Sequence, residues 1–272
     1  GKKIKAVLFD LGETLLDFGR VNTTKVFRQS AKGTYEFLRS CKQPLGSFTW
    51  YFLHSMTAFR FRCLVSMLTG KDFNALLLLK RIGIKKGLTL SEDQWRQLGW
   101  LWYEPLAKQA RIEPKLKETL SCLKQMGLKL GIVSNTFISA GSLDRHLAQF
   151  DILDFFTPRI YSYQVDFRKP DIRIFQTAAA QIGEPPSNIL FVGDRINKDI
   201  IPALRAGMQA VLKGAYTNIG KEVPEGILKI SRLAELPGLI ETINSSYPAV
   251  VRDENNEPRN TSDNKTPKEF CV

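Results

Sequence analysis

Short apolar runs that end in a polar residue are the feature that most constrains the fold of this chain. Residues 4–9, 128–133 and 189–192 form such runs, and each is too short for an amphipathic helix. From Pro114 onward, helical patterns of about 10–15 residues separate successive runs. Strands joined by helical crossovers form parallel sheets that are buried on both faces. The sequence therefore predicts an α/β fold, with a three-layer Rossmann-like parallel sheet as its core.

A helical segment interrupts this alternation after the first strand. Residues 22–109 show helical spacing without strand alternation, and Ser91 and Gln94 have the spacing of a capping box. We expect an all-helical cap domain that is inserted into the sheet-containing core. The predicted boundaries are residues 18–111 for the cap, and residues 1–17 and 112–245 for the core.

Basic residues are concentrated in the predicted cap. The whole chain has 39 Lys and Arg against 27 Asp and Glu, a net charge of +12. Residues 20–86 contain thirteen of the cations against only two acids, Glu36 and Asp72, a local balance of +11. Such a surface attracts anions, and the candidate partners are a phosphorylated substrate, an acidic membrane surface and nucleic acid. A solvated basic surface without a partner is the alternative.

The tryptophans of the cap have two interpretations. They occur at helical spacing, which favours packing inside the cap over lining a substrate pocket. The residues concerned are Trp50, Trp95, Trp100 and Trp102.

Polar residues stand directly after three of the predicted strands. These residues are Asp10, Ser134 and Asp194. Ligands of open parallel sheets bind in the crevice beyond the carboxyl ends of the strands, so we expect these side chains to meet there, with Asp199 one short turn further on. Grouped carboxylates repel one another and need a cation, and Mg²⁺ is bound by carboxylates, phosphate oxygens and water. Lys169 is expected to add a positive charge to the same pocket.

Four short motifs resemble those of the haloacid-dehalogenase-like hydrolases. Residues 10–14, Asp-Leu-Gly-Glu-Thr, resemble the first motif of that family, DxDxT. Ser134 with Asn135 resembles the second motif, Lys169 with Pro170 the third, and residues 193–199, of the form GDxxxxD, the fourth. Each motif alone is weak evidence. Together they occur in the expected order and strand context, over residues 4–245.

The resemblance implies a phosphatase-type hydrolase that acts on a small phosphorylated substrate. Asp10 is implied to be the nucleophile that accepts the phosphoryl group as an aspartyl-phosphate. Ser134, Asn135 and Lys169 are implied to bind the phosphoryl group, and Lys169 also to neutralise charge at the nucleophile. Mg²⁺ is the implied cofactor, and its implied ligands are Asp10, Asp194, Asp199 and the backbone carbonyl of Gly12.

Gly12 departs from the family pattern. It occupies the place of the second aspartate of DxDxT, which protonates the leaving group and then activates water. Glycine cannot transfer a proton, and a positioned acid–base group contributes about 10²–10⁴-fold to the rate, so we expect slow hydrolysis of unactivated alkyl phosphates. Three explanations stay open: a substrate with a good leaving group, a contribution from Glu13, or a protein that binds phosphate and Mg²⁺ with little turnover.

Two other functions compete with the phosphatase interpretation. A 2-haloacid dehalogenase also uses an aspartate nucleophile without a second aspartate, but it needs no metal and does not keep an acid pair such as Asp194 and Asp199. A non-catalytic interaction protein with a basic cap is favoured by Gly12, but it gives no reason for the retained cluster of charges. No GxGxxG follows a strand, so dinucleotide binding is not expected.

The remaining features predict a cytoplasmic protein without a membrane span. Residues 50–68 are the most apolar stretch, but His54, Arg60 and Arg62 interrupt it. The first residues run directly into a predicted strand, so no signal peptide is expected, and the four cysteines show no paired spacing. Residues 246–272 are polar with little to bury, and we expect a disordered tail there.

Overall fold

The structure is a computed structural model that describes residues 3–246. Within these residues, six strands form one sheet in the order β3-β2-β1-β4-β5-β6, and every neighbouring pair is parallel. The central strand β1 therefore has its carboxyl end between those of β2 and β4. The strands are β1 (Ala6–Phe9), β2 (Lys129–Ser134), β3 (Arg159–Tyr161), β4 (Ile189–Gly193), β5 (Gln209–Lys213) and β6 (Leu228–Ile230).

The central strands are apolar throughout because both faces of the sheet are covered. Every residue of β1 and β4 is buried, so neither strand alternates between apolar and polar positions. The parallel α/β fold predicted from these runs is confirmed. The first strand begins at Ala6 instead of residue 4, and β2 and β4 begin and end within one residue of the predicted runs at 128–133 and 189–192.

Helices form a layer on each face of the sheet. On one face, α5 (Leu116–Gln125), α6 (Ala140–Gln149) and α9 (Leu236–Ser245) bury their leucines and isoleucines against β1 and β2. On the other face, α7 (Ile172–Ile182) and α8 (Ile201–Arg205) pack against the opposite sides of β1 and β4. These layers fix the sheet, so the residues at its carboxyl edge are held on a rigid base.

Four helices lie between β1 and α5 in the sequence, as the helical pattern of residues 22–109 predicts. Each begins at a side chain that accepts a hydrogen bond from a backbone amide of the first turn, and these capping residues are Asn22, Ser47, Asn74 and Ser91. The predicted capping box of Ser91 and Gln94 is present. The helices are α1 (Thr23–Ser40), α2 (Phe48–Thr69), α3 (Ala75–Lys85) and α4 (Glu92–Ala107).

The tryptophans of these helices divide into two groups. Trp95, Trp100 and Trp102 are buried, as their helical spacing predicts. Trp50 is 73% exposed, so the prediction of packing is wrong for this residue. Trp50 lies on the outer side of α2, whereas Phe52 and Phe59 on its inner side pack against Phe27.

The chain enters and leaves the helical segment at one point. The backbones of Asp17 and Arg111 exchange two hydrogen bonds of 2.8 Å, each amide donating to the carbonyl of the other residue. The division into a cap at residues 18–111 and a core around it stays a prediction, and this bridge lies at its junction.

Two further sequence predictions concern the ends of the chain and its relation to membranes. The predicted disordered tail lies outside the described residues, apart from Ser246. Between residues 3 and 246, no helix is long and apolar enough to cross a membrane.

The buried imidazole of His146 makes the stability of the fold depend on pH. His146 Nδ1 lies 2.8 Å from the Tyr103 hydroxyl, and burial lowers the pKa of His146 to about 4. An unfolded histidine titrates near pH 6.5, so between about pH 6.5 and 4 the unfolded state takes up a proton that the folded state does not. We expect this residue to remove up to about 3 kcal/mol from the free energy of unfolding over that range.

Urea unfolding of the wild type and of His146→Asn across this pH range measures the effect. The variant should lose less stability on acidification than the wild type, because asparagine does not titrate. Parallel pH dependence of the two proteins would contradict a buried neutral imidazole.

Candidate active site

The three strand-end residues predicted to meet do lie at one edge of the sheet. Asp10 directly follows β1, Ser134 is the last residue of β2, and Asp194 directly follows β4. Since β2 and β4 both pair with β1, Asp10 lies between the other two. All three residues are buried in the described structure.

Lys169 connects two of the carboxylates. Its Nζ lies 2.6 Å from Asp10 Oδ1 and 2.6 Å from Asp199 Oδ1, and all three side chains are buried. Burial opposes the charged form of the amine, but the carboxylates of Asp10 and Asp199 outweigh it and hold the pKa of Lys169 above its usual value. A protonated lysine is therefore fixed beside the first-strand aspartate.

The site holds more negative charge than its buried cation balances. Burial raises the pKa of Asp10 to about 7, Lys169 opposes this shift, and the neighbouring carboxylates of Asp199 and Asp194 add to it. Arg195 offers only a distant contribution, with its Nε 3.9 Å from Asp194 Oδ2 and its side chain half exposed. A further positive charge in the site would lower the free energy of the ionised carboxylates.

The carboxylates have the arrangement and the free oxygen that a hard cation requires. Asp10, Asp194 and Asp199 each offer one oxygen within 4.8 Å of the others. Asp194 Oδ1 is buried without a hydrogen-bond partner, whereas its Oδ2 accepts a hydrogen bond from the Thr217 hydroxyl. An all-oxygen donor set with a buried unpartnered oxygen fits Mg²⁺. No other group of three metal-binding side chains comes this close together within residues 3–246.

Asp199 reaches the cluster from an irregular turn. Its helical pattern predicts a helix at residues 199–206, but a π-helical turn, Ile196–Ile200, precedes α8 and contains Asp199. The backbone N–H of Arg195 donates to Asp199 Oδ2 over 2.9 Å, so one oxygen is fixed by the chain while the other faces Lys169. The turn therefore aims the carboxylate back toward β4.

Asn135 borders the crevice, and its side chain is hydrogen-bonded to the backbone of Lys169. Its Nδ2 donates to the backbone carbonyl of Lys169 over 2.7 Å, and its Oδ1 accepts from the Lys169 N–H over 2.9 Å. These two hydrogen bonds tie the end of β2 to the segment that carries the lysine. The side chain of Asn135 is thus occupied in holding Lys169, and its backbone remains beside Ser134.

Gly12 leaves open space where the family pattern has an aspartate. A Cβ placed on this residue would have its nearest neighbour, Phe18 Cε2, 4.0 Å away. Glu13 does not fill that space, because it has a positive φ of 61° and its Oε1 accepts a hydrogen bond from the Phe18 N–H over 3.2 Å. Its second oxygen, Oε2, is buried without a partner, and Glu13 borders the crevice.

Two residues of the site were not found from the sequence. Thr217 donates its hydroxyl to Asp194, and Asn218 Nδ2 donates to the backbone carbonyls of Asp194 and Lys213 over 2.8 Å each. Both follow β5, the next strand of the sheet. Polar residues at strand ends meet at one edge of a parallel sheet, so the position of residues 214–218 directly after β5 is a sequence signal for both.

The crevice has a volume of about 320 Å³ and a floor of charged side chains. Its walls come from the segment after β1 and from helix α4, through Phe18, Tyr103 and Leu106. A second, more apolar region shares these walls and extends toward Phe27 and Trp102. Trp102 therefore both packs inside the helical segment and lines this apolar region.

Residues 4–207 match the sequence pattern of a family described as haloacid dehalogenase-like hydrolase. The chain belongs to the haloacid dehalogenase-like hydrolase family. The resemblance inferred from the four motifs is thereby confirmed, and the matched residues run from β1 to the end of α8.

Individual family members extend this comparison. The chain is 38% identical over 99 residues to a glyceraldehyde 3-phosphate phosphatase from Methanothermobacter thermautotrophicus. The aligned residues make up 36% of this chain and 43% of that protein. In this match and two similar ones, the chain spans about half the length of the curated relative. The activities of these relatives are therefore not transferred to this chain on similarity alone.

Solved structures of the family share the fold. A HAD phosphatase from Thermococcus onnurineus has a TM-score of 0.54 at 22% identity and covers 87% of this chain and 98% of its own. A 2-haloacid dehalogenase from Pseudomonas syringae has a TM-score of 0.58 at 23% identity and covers 88% of this chain and 99% of its own. Because both kinds of enzyme have this fold, the fold does not separate phosphatase from dehalogenase.

Gly193 provides a test of the cation site that does not depend on catalysis. A Cβ at this position would lie 2.5 Å from Asp199 Cβ and 2.6 Å from its Cγ, so Gly193→Ala must displace Asp199. We expect the variant to bind Mg²⁺ at least about tenfold more weakly, since outer changes to a metal site typically cost 10–100-fold in affinity. Isothermal titration with MgCl₂ measures this.

Gly141→Ala is the matched control, because a Cβ at Gly141 meets no atom within 4 Å. It should bind Mg²⁺ as the wild type does. Unchanged Mg²⁺ affinity in a folded Gly193→Ala protein would show that Asp199 does not contribute to the cation site.

Proposed function

We propose that this protein is a magnesium-dependent phosphatase that transfers the phosphoryl group of a small substrate to Asp10 and then to water. The observation that carries the proposal is the meeting of Asp10, Lys169, Asp194 and Asp199 in one buried cluster at the floor of a crevice. Buried like charges are costly unless they are paired or bind a metal. A phosphoryl-transfer site gives each of these charges a function.

Asp10 would act as the nucleophile of the first half-reaction and as the leaving group of the second. Its carboxylate oxygen attacks phosphorus, the bond between phosphorus and the leaving oxygen breaks, and an aspartyl-phosphate forms on Asp10. A water molecule then attacks phosphorus, releases inorganic phosphate and regenerates the carboxylate. Separate steps of this kind divide one difficult displacement into two easier ones.

The surrounding residues would stabilise the transferring group. Lys169 would hold its positive charge beside Asp10 and the phosphoryl oxygens, and Ser134 would donate its hydroxyl to one of them. Mg²⁺, when bound by Asp10, Asp194, Asp199 and the carbonyl of Gly12, supplies positive charge to the phosphoryl oxygens. Thr217 would fix the second oxygen of Asp194, which leaves Oδ1 for the cation.

The absence of an acidic side chain at position 12 would limit which phosphate esters the protein hydrolyses. Without a proton donor there, the leaving oxygen departs as an anion, and its departure is fast only when its conjugate acid has a low pKa. Phenols meet this condition far better than alkyl alcohols. The missing acid therefore favours activated esters over alkyl phosphates.

The shape of the crevice favours the same class of substrate. The apolar region next to the charged floor offers rings for stacking and apolar contact, and none of the described residues that line it is Lys or Arg. A leaving group with its own anionic charge would find no partner in this region. We infer that an aryl phosphate, with a neutral aromatic leaving group, fits the site best. The rings are those of Phe18, Phe27, Phe59, Trp102, Tyr103, Phe137 and Tyr216.

The competing functions are weaker for particular reasons. A dehalogenase needs no metal, so it gives no role to the buried unpartnered oxygen of Asp194 beside Asp199. A non-catalytic interaction protein gives no role to Lys169 between two carboxylates. Both remain outcomes of the experiments below.

Asp10→Asn tests the proposed nucleophile. Asparagine has the same shape but is a poor nucleophile, so kcat for phenyl phosphate with Mg²⁺ should fall more than about 10³-fold. Released inorganic phosphate is measured with and without MgCl₂, and halide release from 2-chloropropionate without metal is measured in parallel. Full activity of a folded variant would contradict the mechanism, and halide release without phosphate release would establish the dehalogenase.

Gly12→Asp tests the missing acid. The space around Gly12 accepts a side chain, and a carboxyl group there would protonate the leaving oxygen. We expect kcat/KM for alkyl phosphates such as glycerol 3-phosphate to rise by about 10²-fold, with a much smaller change for phenyl phosphate.

Gly12→Asn is the matched control, since it adds the volume of aspartate without its acid–base chemistry. An equal gain for alkyl and aryl substrates, or no gain in a folded Gly12→Asp protein, would show that proton transfer at this position does not limit turnover.

A further inference from the structure

Helix α2 exposes an apolar face to solvent. Six large apolar side chains on it are exposed by about half or more, and at about 100° per residue their positions fall within one side of the helix, which also carries the exposed Thr57 and Arg60. They are Trp50 (73%), Leu53 (47%), Phe61 (63%), Leu64 (48%), Met67 (66%) and Leu68 (78%).

The opposite side of α2 is already packed. Phe52 and Phe59 contact Phe27 of α1, and Phe59 also contacts Trp102 of α4. The helix therefore carries apolar side chains on both sides, and the described residues cover only its inner side. Contiguous exposed apolar surface of this kind marks an interaction site, because leaving it in water costs free energy.

Residues 37–91, which include α2 and α3, carry cations almost exclusively, and exposed acids of other segments pair with two of them, Asp166 with Lys71 and Glu92 with Lys80. Between residues 37 and 91 the only acid is Asp72, and its side chain is buried against Arg168, with Oδ1 2.8 Å from Arg168 Nη1. Arg60 is exposed on α2 itself, and Arg81, Lys85 and Lys86 are exposed on the neighbouring α3.

One cleft between the two helices places a cation beside the apolar face, and a second cleft holds two more cations without being lined by the exposed apolar residues of that face. Lys86 lines one cleft together with Trp50 and His54 of α2. Arg81 and Lys85 line a second cleft together with Arg62 of α2. The surface thus combines apolar side chains and cations, without an exposed carboxylate along residues 37–91.

This combination selects among the possible partners. A second copy of the chain would bring two equally basic surfaces together, which like-charge repulsion opposes. Nucleic acid would leave the aliphatic side chains Leu53, Leu64 and Leu68 without apolar contacts. An anionic lipid surface satisfies both properties, since its interface takes up tryptophan, phenylalanine and leucine while its headgroups attract arginine and lysine.

We propose that the outer face of α2, with the exposed cations of α2 and α3, binds the surface of a membrane that contains anionic lipids. The helix lies on such a surface and does not span it, because Arg60 and Arg62 interrupt its apolar sequence. Phe59, on the inner side of α2, lines the apolar region that adjoins the crevice of the candidate active site. The docking face therefore points away from the crevice, which stays accessible in the bound protein.

Vesicle flotation with the full chain tests this proposal. The protein should float with phosphatidylcholine vesicles that contain phosphatidylserine, and much less with vesicles of phosphatidylcholine alone. Added salt should weaken the binding, since screening reduces the attraction between arginine or lysine and the headgroups.

Trp50 supplies an internal fluorescence probe, because the other three tryptophans are buried. Its emission should shift to the blue with the anionic vesicles, and this shift should vanish in Trp50→Phe.

Two double variants distinguish vesicle binding by this face from nonspecific binding by any exposed apolar side chain. Phe61→Ser with Leu68→Ser should reduce the bound fraction at least about tenfold, because both side chains are exposed apolar groups of the docking face. Leu204→Ser with Leu228→Ser removes two exposed leucines outside the helical segment and should leave binding unchanged. Phosphatase activity on a soluble substrate and thermal unfolding should be unaltered in both.

Three results would overturn the proposal. One is no preference for anionic over neutral vesicles, and another is equal loss of binding in the two double variants. The third is a stable dimer in sedimentation velocity that Phe61→Ser with Leu68→Ser dissociates, which would make this face a self-association surface. None of these results bears on phosphoryl transfer at Asp10, which is tested separately.

Discussion

The structure of the site depends on one buried ion-pair arrangement, in which Lys169 lies between Asp10 and Asp199. Burying three ionised groups is unfavourable unless each is paired, so the segments that carry them are restricted to positions where the pairs can form. β1 supplies the first carboxylate, the π-helical turn after β4 supplies the second, and Asn135 at the end of β2 holds the lysine in place. The remaining charge, with Asp194, fits a divalent cation.

The crevice is built from two parts of the chain, one that carries its charged floor and one that supplies its apolar walls. The sheet and its two helical layers hold the charged floor rigidly, because its strands are buried and closely packed. The helical segment that leaves and returns at Asp17 and Arg111 supplies the apolar walls. In the proposed mechanism, the absence of an acid at Gly12 would restrict the leaving group, and the aromatic walls would favour an aryl leaving group.

Helix α2 shows that one element can serve two surfaces. Its inner aromatic residues complete the crevice, while its outer face carries exposed apolar side chains without an acidic neighbour between residues 37 and 91 other than the buried Asp72. The sequence indicates both properties, the apolar run and the basic excess, but it does not indicate which side chains are left outside. Trp50 illustrates this limit: its spacing predicts packing, and the structure places it in solvent.

The sequence by itself determined the α/β class, the strand bounds to within one or two residues, the family and the group of residues that meet at the sheet edge. It does so because buried parallel strands need unbroken apolar runs, and ligands collect where those runs end. Only the tertiary structure decided that Asn135 holds Lys169 and that Glu13 turns toward Phe18. Those outcomes depend on contacts between segments far apart in the chain and on backbone angles such as the positive φ of Glu13, which local sequence patterns do not encode.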